Sequence, residues 1–153
     1  MKKRSGAAAI LPRPPLNWSN PDAIDFSSFE TLIIRRSLSV AAPGALCFPG
    51  GGIEEDETPE EAVRREFLEE VGLEIVVKRL FAQSQTPNGA PLYWFLAESA
   101  IVDPDELRIV LQEDEVASYE WRTLPDLLDD PDCLSNNRVI LRDVLNGSLK
   151  LRD

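Results

Sequence analysis

No histidine occurs anywhere in the chain. Catalysis by Ser-His-Asp or Cys-His groupings is thereby excluded, as are zinc sites of the His-Glu-x-x-His type. Acid–base or metal chemistry must therefore run on carboxylates, with Lys, Tyr or Arg in support. Only two cysteines are present, Cys47 and Cys133, which make no disulfide framework and give no sign of export. Basic residues are in deficit: 16 Lys and Arg stand against 27 Asp and Glu, a net charge of −11. Nucleic acid and anionic membranes attract proteins through basic surface, so neither is expected as a partner. No apolar run is long enough to cross a bilayer. Met1-Lys2-Lys3-Arg4 ahead of Ala7-Ala8-Ala9-Ile10-Leu11 has the outline of a signal peptide. The apolar run is short, however, and Pro12, Pro14 and Pro15 cut it off, so the cytoplasm is the expected compartment.

What remains is an ordinary globular composition, 43% hydrophobic and 28% charged over 153 residues, which predicts a single domain spanning 1–153. Ala7–Leu11 reads as a short strand and Pro12 to Ser28 as a long loop. Thr31-Leu32-Ile33-Ile34 fits a strand inside a sheet. A loop from Ser37 to Ala45 leads through Leu46-Cys47-Phe48 to a tight turn, Pro49-Gly50-Gly51-Gly52. Glu74–Ser84, Pro91–Ala97 and Val116–Arg122 read as strands. Leu124–Leu128 and Asn136–Leu145 read as helices, with Ser135 as a cap for the second. Strands and helices intermix, which predicts an α/β (α+β) layered domain.

The best-signalled helix follows the glycines. Thr58 is a good N-cap, Pro59 suits the first helical position, and Glu61 completes a Thr-x-x-Glu capping box. Gly72 is placed to close the helix in the left-handed conformation. At about 100° per residue, Ala62, Glu66, Glu69 and Glu70 fall on one strip, while Val63, Phe67, Leu68 and Val71 take the adjoining arc as a core face. Glu66, Glu69 and Glu70 are thus neighbours and repel. A hard cation such as Mg²⁺ would balance them, since it takes oxygen ligands and shares its shell with substrate phosphates. Arg65 is placed to orient a carboxylate. A solvated acidic face is the alternative reading for any Glu-rich helix.

The spacing resembles the Nudix box, G-x5-E-x7-R-E-U-x-E-E-x-G-U with U a bulky apolar residue. Gly51, Glu57, Arg65, Glu66, Phe67, Glu69, Glu70, Gly72 and Leu73 match it. Phe67 departs only in being aromatic where the family usually has an aliphatic residue. The resemblance implies a mixed sheet between helices, an α/β/α sandwich with the box as a loop–helix–loop. It implies hydrolysis of a diphosphate linkage in a nucleoside diphosphate joined to a further group, with Mg²⁺ or Mn²⁺ as cofactor. Carried over by position, Glu66, Glu69, Glu70 and the Gly50 carbonyl would bind the metal. Glu57, Gly51 and Gly72 would support the site, and Arg65 would orient a glutamate. Glu115 stands six residues before Trp121, which makes it the candidate fourth ligand or general base; its alternative is a solvated residue in Glu113-Asp114-Glu115. The proton acceptor stays open among Glu69, Glu70 and Glu115.

Asn136 and Arg36 are the candidate substrate-binding residues. Asn136 occupies the place where the MutT branch of the family carries a base-contacting Asn, and a helix-start role is its alternative. Gly52, where a Lys is common, and the long Pro12–Ser28 insertion depart from that branch. Pro87 has a counterpart in ADP-ribose hydrolases, and the run from Glu115 to Trp121 is similar to members acting on dinucleoside polyphosphates. Trp18, Tyr93, Phe95 and Tyr119 are candidates to stack on a base, with a place in the core as the alternative for aromatics at strand spacing. The expected partner is a small nucleotide-type molecule, and the chain is expected to act as a monomer or homodimer. A Nudix module that senses a nucleotide without cleaving it is the competing class, but such modules typically lose a box glutamate and this chain keeps all of them.

Overall fold

A computed structural model describes residues 5–13, 16, 24–86, 89–101 and 107–146. Strand β1 (Gly6–Ile10) is buried on both faces and lies between two neighbours. β5 (Gly50–Gly52) pairs with it antiparallel and β7 (Pro91–Ser99) parallel. β6 (Ile75–Gln85) completes this sheet by pairing antiparallel with β7. In the second sheet β3 (Glu30–Arg36) is the hub, antiparallel to β2 (Pro12–Arg13), β4 (Leu46–Cys47) and β8 (Val116–Thr123). The helices are α1 (Pro59–Val71), α2 (Leu124–Asp129) and α3 (Ser135–Leu145).

Side chains alternate across a strand, and here the alternation divides the core in two. Ala7, Ala9, Leu11, Leu32, Ile34, Phe95 and Ala97 face α1, where Val63, Phe67 and Val71 cover them. Ala8, Ile10, Ile33, Trp94 and Leu96 face the other way, under Leu124 and Leu127 of α2 and Ile140, Leu141 and Val144 of α3. The result is the expected mixed sheet structure between helices.

Helix α1 ends where its local signals say. The Thr58 hydroxyl accepts from the Glu61 N–H, and the Glu61 carboxylate accepts from the Thr58 N–H. Gly72 closes the helix at φ +70° and donates to the Leu68 carbonyl. Four expectations need correction. Pro49–Gly52 is not a tight turn, because Gly50–Gly52 is extended and paired with β1. Leu68, at the edge of the apolar arc, is 59% exposed and contributes no core. Part of the Pro12–Ser28 loop is regular, since Pro12 and Arg13 pair with β3. Ser135 does not cap α3: the helix starts at Ser135 itself, and Leu134 holds the cap position without a side-chain hydrogen bond.

Candidate active site

The carboxylates of α1 meet β5 at the first sheet's edge. The Gly50 N–H donates to Glu70 Oε1 at 2.9 Å. A Cβ at Gly51 would stand 2.5 Å from the Glu66 carboxylate, so glycine is what lets the helix lay its acids against the strand. Arg65 is the one basic group within the box that bonds them. Its guanidinium donates to Glu57 at 2.7 and 3.0 Å, to Glu66 at 3.1 Å, to Glu69 at 3.2 Å and to the Gly52 carbonyl at 3.0 Å. Those hydrogen bonds, the Glu57 fork first, raise the guanidinium's affinity for its proton. The Arg65 role expected from the sequence was one carboxylate; here it spans three.

Glu115 lines the same pocket from the segment just before β8. The segment before it is tied to the end of α1, with the Val110 N–H on the Val71 carbonyl and the Gln112 N–H on the Glu70 carbonyl. The loop after β3 then clasps the 114–115 peptide. Ser37 N–H donates to the Glu115 carbonyl at 2.9 Å, and the Ser37 and Ser39 hydroxyls donate to the Asp114 carbonyl at 2.8 and 2.9 Å. Neither serine is marked in the sequence; Ser-Leu-Ser at a strand end is a generic loop pattern.

The pocket so formed has a volume of about 320 Å³ and is lined by Glu54, Glu66, Glu69, Glu70 and Glu115, with Arg36, Arg65 and Gly50–Gly52. Glu70 is 5% exposed. Burial pushes its carboxyl up to about 8, the Gly50 N–H opposing and the charges of Glu66 and Glu115 adding. Burial also raises Glu66, against the pull of Arg65. Glu115 acts on both by its charge, which ties it electrostatically to the box. No side-chain cation bonds Glu70 among the described residues. A buried carboxylate facing other carboxylates fits a hard divalent cation in charge and in donor type. Arg65 occupies oxygens of Glu66 and Glu69, and no three acidic, His or Cys side chains among the described residues close on one point.

A second cleft of about 280 Å³ adjoins the first and shares Arg36 and Gly50–Gly52 with it. Phe48, Leu92 and Trp94 give it apolar walls, and Asn136 and Asn137 also line it. Trp94 meets Phe48 edge to face at 6.0 Å and donates from Nε1 to Ser84 Oγ. The sequence pointed to its neighbours instead. Tyr93 and Phe95 pack on the α1 side of the sheet, away from this cleft, and Tyr119 is exposed on β8. Period-two alternation in β7 is the signal that separates Trp94 from them. Trp18 and Pro87 lie outside the described residues. Of the residues expected to support the site, Glu57 accepts from Arg65 and from the Glu54 N–H, and Gly72 is the C-cap of α1.

A family model described as a NUDIX domain matches residues 22–143. An 8-oxo-dGTP diphosphatase of Escherichia coli (strain K12) is 52% identical over 44 residues, 29% of this chain and 34% of that protein. An RNA pyrophosphohydrolase of Helicobacter pylori (strain P12) is 42% identical over 71 residues, 46% of this chain and 38% of that protein. The matched stretches thus span little more than a third of these relatives' length. A MutT protein from Methanosarcina mazei Go1 superposes with a TM-score of 0.69 over 95% of this chain and 94% of that one, at 20% identity. That likeness speaks to the fold alone.

Proposed function

The chain belongs to the Nudix family, and from that premise we propose that it is a Mg²⁺-dependent hydrolase of a diphosphate linkage in a small nucleotide, with Mn²⁺ as a substitute cation. The observation that carries the proposal is Glu70: a buried carboxylate, with Glu66 and Glu115 in the same pocket, whose lining shares Arg36 with an adjoining apolar cleft. Glu66, Glu69, Glu70 and Glu115 would hold the cation, together with the Gly50 carbonyl. When bound, it supplies neutralisation of phosphate charge and a lower pKa for water.

The chain's own residues do the rest. Arg36, common to both cavities, binds a phosphate oxygen and keeps the diphosphate over the carboxylates. Phe48, Leu92 and Trp94 exclude water from the organic half of the substrate. Water attacks phosphorus in line, the P–O bond on the far side of phosphorus breaks, and the leaving phosphate departs as an anion. The proton of the attacking water is assigned to Glu69, Glu70 or Glu115, of which Glu69 and Glu115 are exposed to solvent. Arg65 orients Glu66 and Glu69 and contacts no substrate.

Two relatives bear the names 8-oxo-dGTP diphosphatase and RNA pyrophosphohydrolase. Of these chemistries the free nucleotide suits this chain better, since a net charge of −11 opposes an RNA strand. ADP-ribose and dinucleoside polyphosphates carry the same linkage and belong on the same panel. The chain acts as one domain in the cytoplasm. The test is a Mg²⁺ titration of the melting temperature. Wild-type protein should gain stability with Mg²⁺ and the Glu66→Gln/Glu70→Gln variant should not; equal response in both would remove the pocket from the proposal.

A further inference from the structure

Arg36 lines both cavities, and no carboxylate pairs with it among the described residues. Its Nε instead donates to the Ala41 carbonyl at 2.6 Å, within the loop between β3 and β4. The return limb of that loop follows local rules. Ala42-Pro43-Gly44-Ala45 is a turn closed by the Ala45 N–H on the Ala42 carbonyl, with Pro43 second and Gly44 third at φ +74°, the pattern of a type II turn. Gly44 is held further by its N–H on the Arg36 carbonyl and by its own carbonyl under Arg35 Nη1.

Ala42 falls outside these rules. The first position of such a turn sets no demand on φ, yet Ala42 stands at φ +49°. A Cβ disfavours that conformation, and a following proline drives a residue toward extended backbone. Ala42 is exposed, so packing does not impose it. Strain of this kind persists where the surroundings over-determine it, and it gathers at sites that clamp a ligand. The φ of Ala42 sets the direction of the 41–42 peptide against the fixed turn, and the carbonyl of that peptide is the one on Arg36. An arginine offers paired donors on two edges, Nε with one Nη and the two Nη together. With Nε on Ala41, the double-Nη edge is left for an anion, and a phosphate takes two donors side by side.

We propose that Ala42 is a positioning residue for substrate binding: its left-handed backbone aims the Ala41 carbonyl at Arg36 Nε, and the paired Nη edge is thereby presented to a phosphate. The proposal rests on the reading of the carboxylate pocket as the seat of the diphosphate. Ala42 acts through Arg36 and not by contact with the substrate.

The test measures nucleotide KM and kcat with Mg²⁺, and in parallel the melting shift caused by inorganic pyrophosphate with the same ion. Glycine adopts positive φ without a Cβ penalty, so Ala42→Gly should keep the wild-type KM. A β-branched side chain cannot, so Ala42→Val should raise KM about tenfold at unchanged kcat and shrink the pyrophosphate shift. In an Arg36→Ala background Ala42→Val should add nothing, because the group it aims is gone. Equal KM in wild type and Ala42→Val, a loss of kcat alone, or a Val effect that persists without Arg36 would each overturn the proposal. Where no nucleotide is cleaved, the pyrophosphate shifts carry the comparison. The same pattern then supports the inference while the hydrolase reading fails; equal shifts in wild type and Ala42→Val overturn it. A second measurement needs no Ala42 variant. The NMR signal of the Arg36 Nε–H, assigned by its loss in Arg36→Lys, should hold its position when pyrophosphate binds while the Nη signals move. An Nε–H signal that moves with them would mean that Ala41 gives up the guanidinium, and would overturn the proposal.

Discussion

Arg65 holds Glu57 by both carboxylate oxygens, Nε to Oε2 at 2.7 Å and Nη2 to Oε1 at 3.0 Å. The fork ties the loop ahead of α1 to the helix, and the two side chains are only 23% and 14% exposed. Lysine would keep the charge and lose the fork. Arg65→Lys is therefore expected to cost about 1–3 kcal/mol, read as a lower urea midpoint at unchanged slope. An unchanged midpoint would reduce the fork to a surface pair without structural weight.

Neighbouring glycines should fail in different ways. A methyl group at Gly50 would run into the Ala7 carbonyl and the Ala8 backbone, which cannot give way within a central strand. At Gly51 the nearest atoms it would meet are the carboxylate end of Glu66, a side chain rather than backbone. Gly50→Ala should lose about 1–3 kcal/mol or more of stability, as overpacked positions do. Gly51→Ala should melt close to wild type and lose most of its stabilisation by Mg²⁺. Calorimetry with and without the ion separates the two.

Helix α1 was legible because its signals are local: Thr58 and Glu61 cap each other across one turn, and Gly72 closes the end. The box glutamates came with it. What escaped the sequence depends on partners far along the chain. Ser37 meets Asp114 across 77 positions and Asn137 meets Phe48 across 89. The glycine run read as a turn because nothing near it shows that β1 pairs with it. Leu68 read as core because helical periodicity marks an arc without saying how much of it the sheet covers.

The serine clasp offers a separate test of Glu115. Removing the hydroxyls of Ser37 and Ser39 frees the Asp114 carbonyl at a cost of about 1 kcal/mol per bond. In the proposed enzyme the double Ala variant should lose kcat at unchanged nucleotide KM, and Thr at both positions should restore it. Wild-type kcat in the Ala variant would mean that Glu115 needs no fixed loop, or takes no part.

Cys47 and Cys133 lie in the cores on opposite sides of the sheets, both as free thiols. Burial pushes Cys47 from 9.0 up to about 12. The folded chain thus holds its proton where the unfolded chain has released it, so this contribution to stability is complete below pH 9 and is lost as pH rises from 9 toward 12. A thiol reagent at pH 8 should label neither cysteine before unfolding. Cys47→Ala should lose less stability than wild type between pH 9 and 12; parallel curves would show that the thiol has no part in it.

The most direct measurement is product analysis with Mg²⁺ across nucleoside triphosphates, oxidised guanine forms included, ADP-ribose, dinucleoside polyphosphates and nucleotide sugars. The Glu69→Gln/Glu70→Gln variant and a chelated sample run alongside. The account predicts cleavage of a diphosphate linkage by the wild type, abolished by the chelator and by the double substitution. Turnover that survives both would contradict it, as would a wild type that cleaves nothing on the panel.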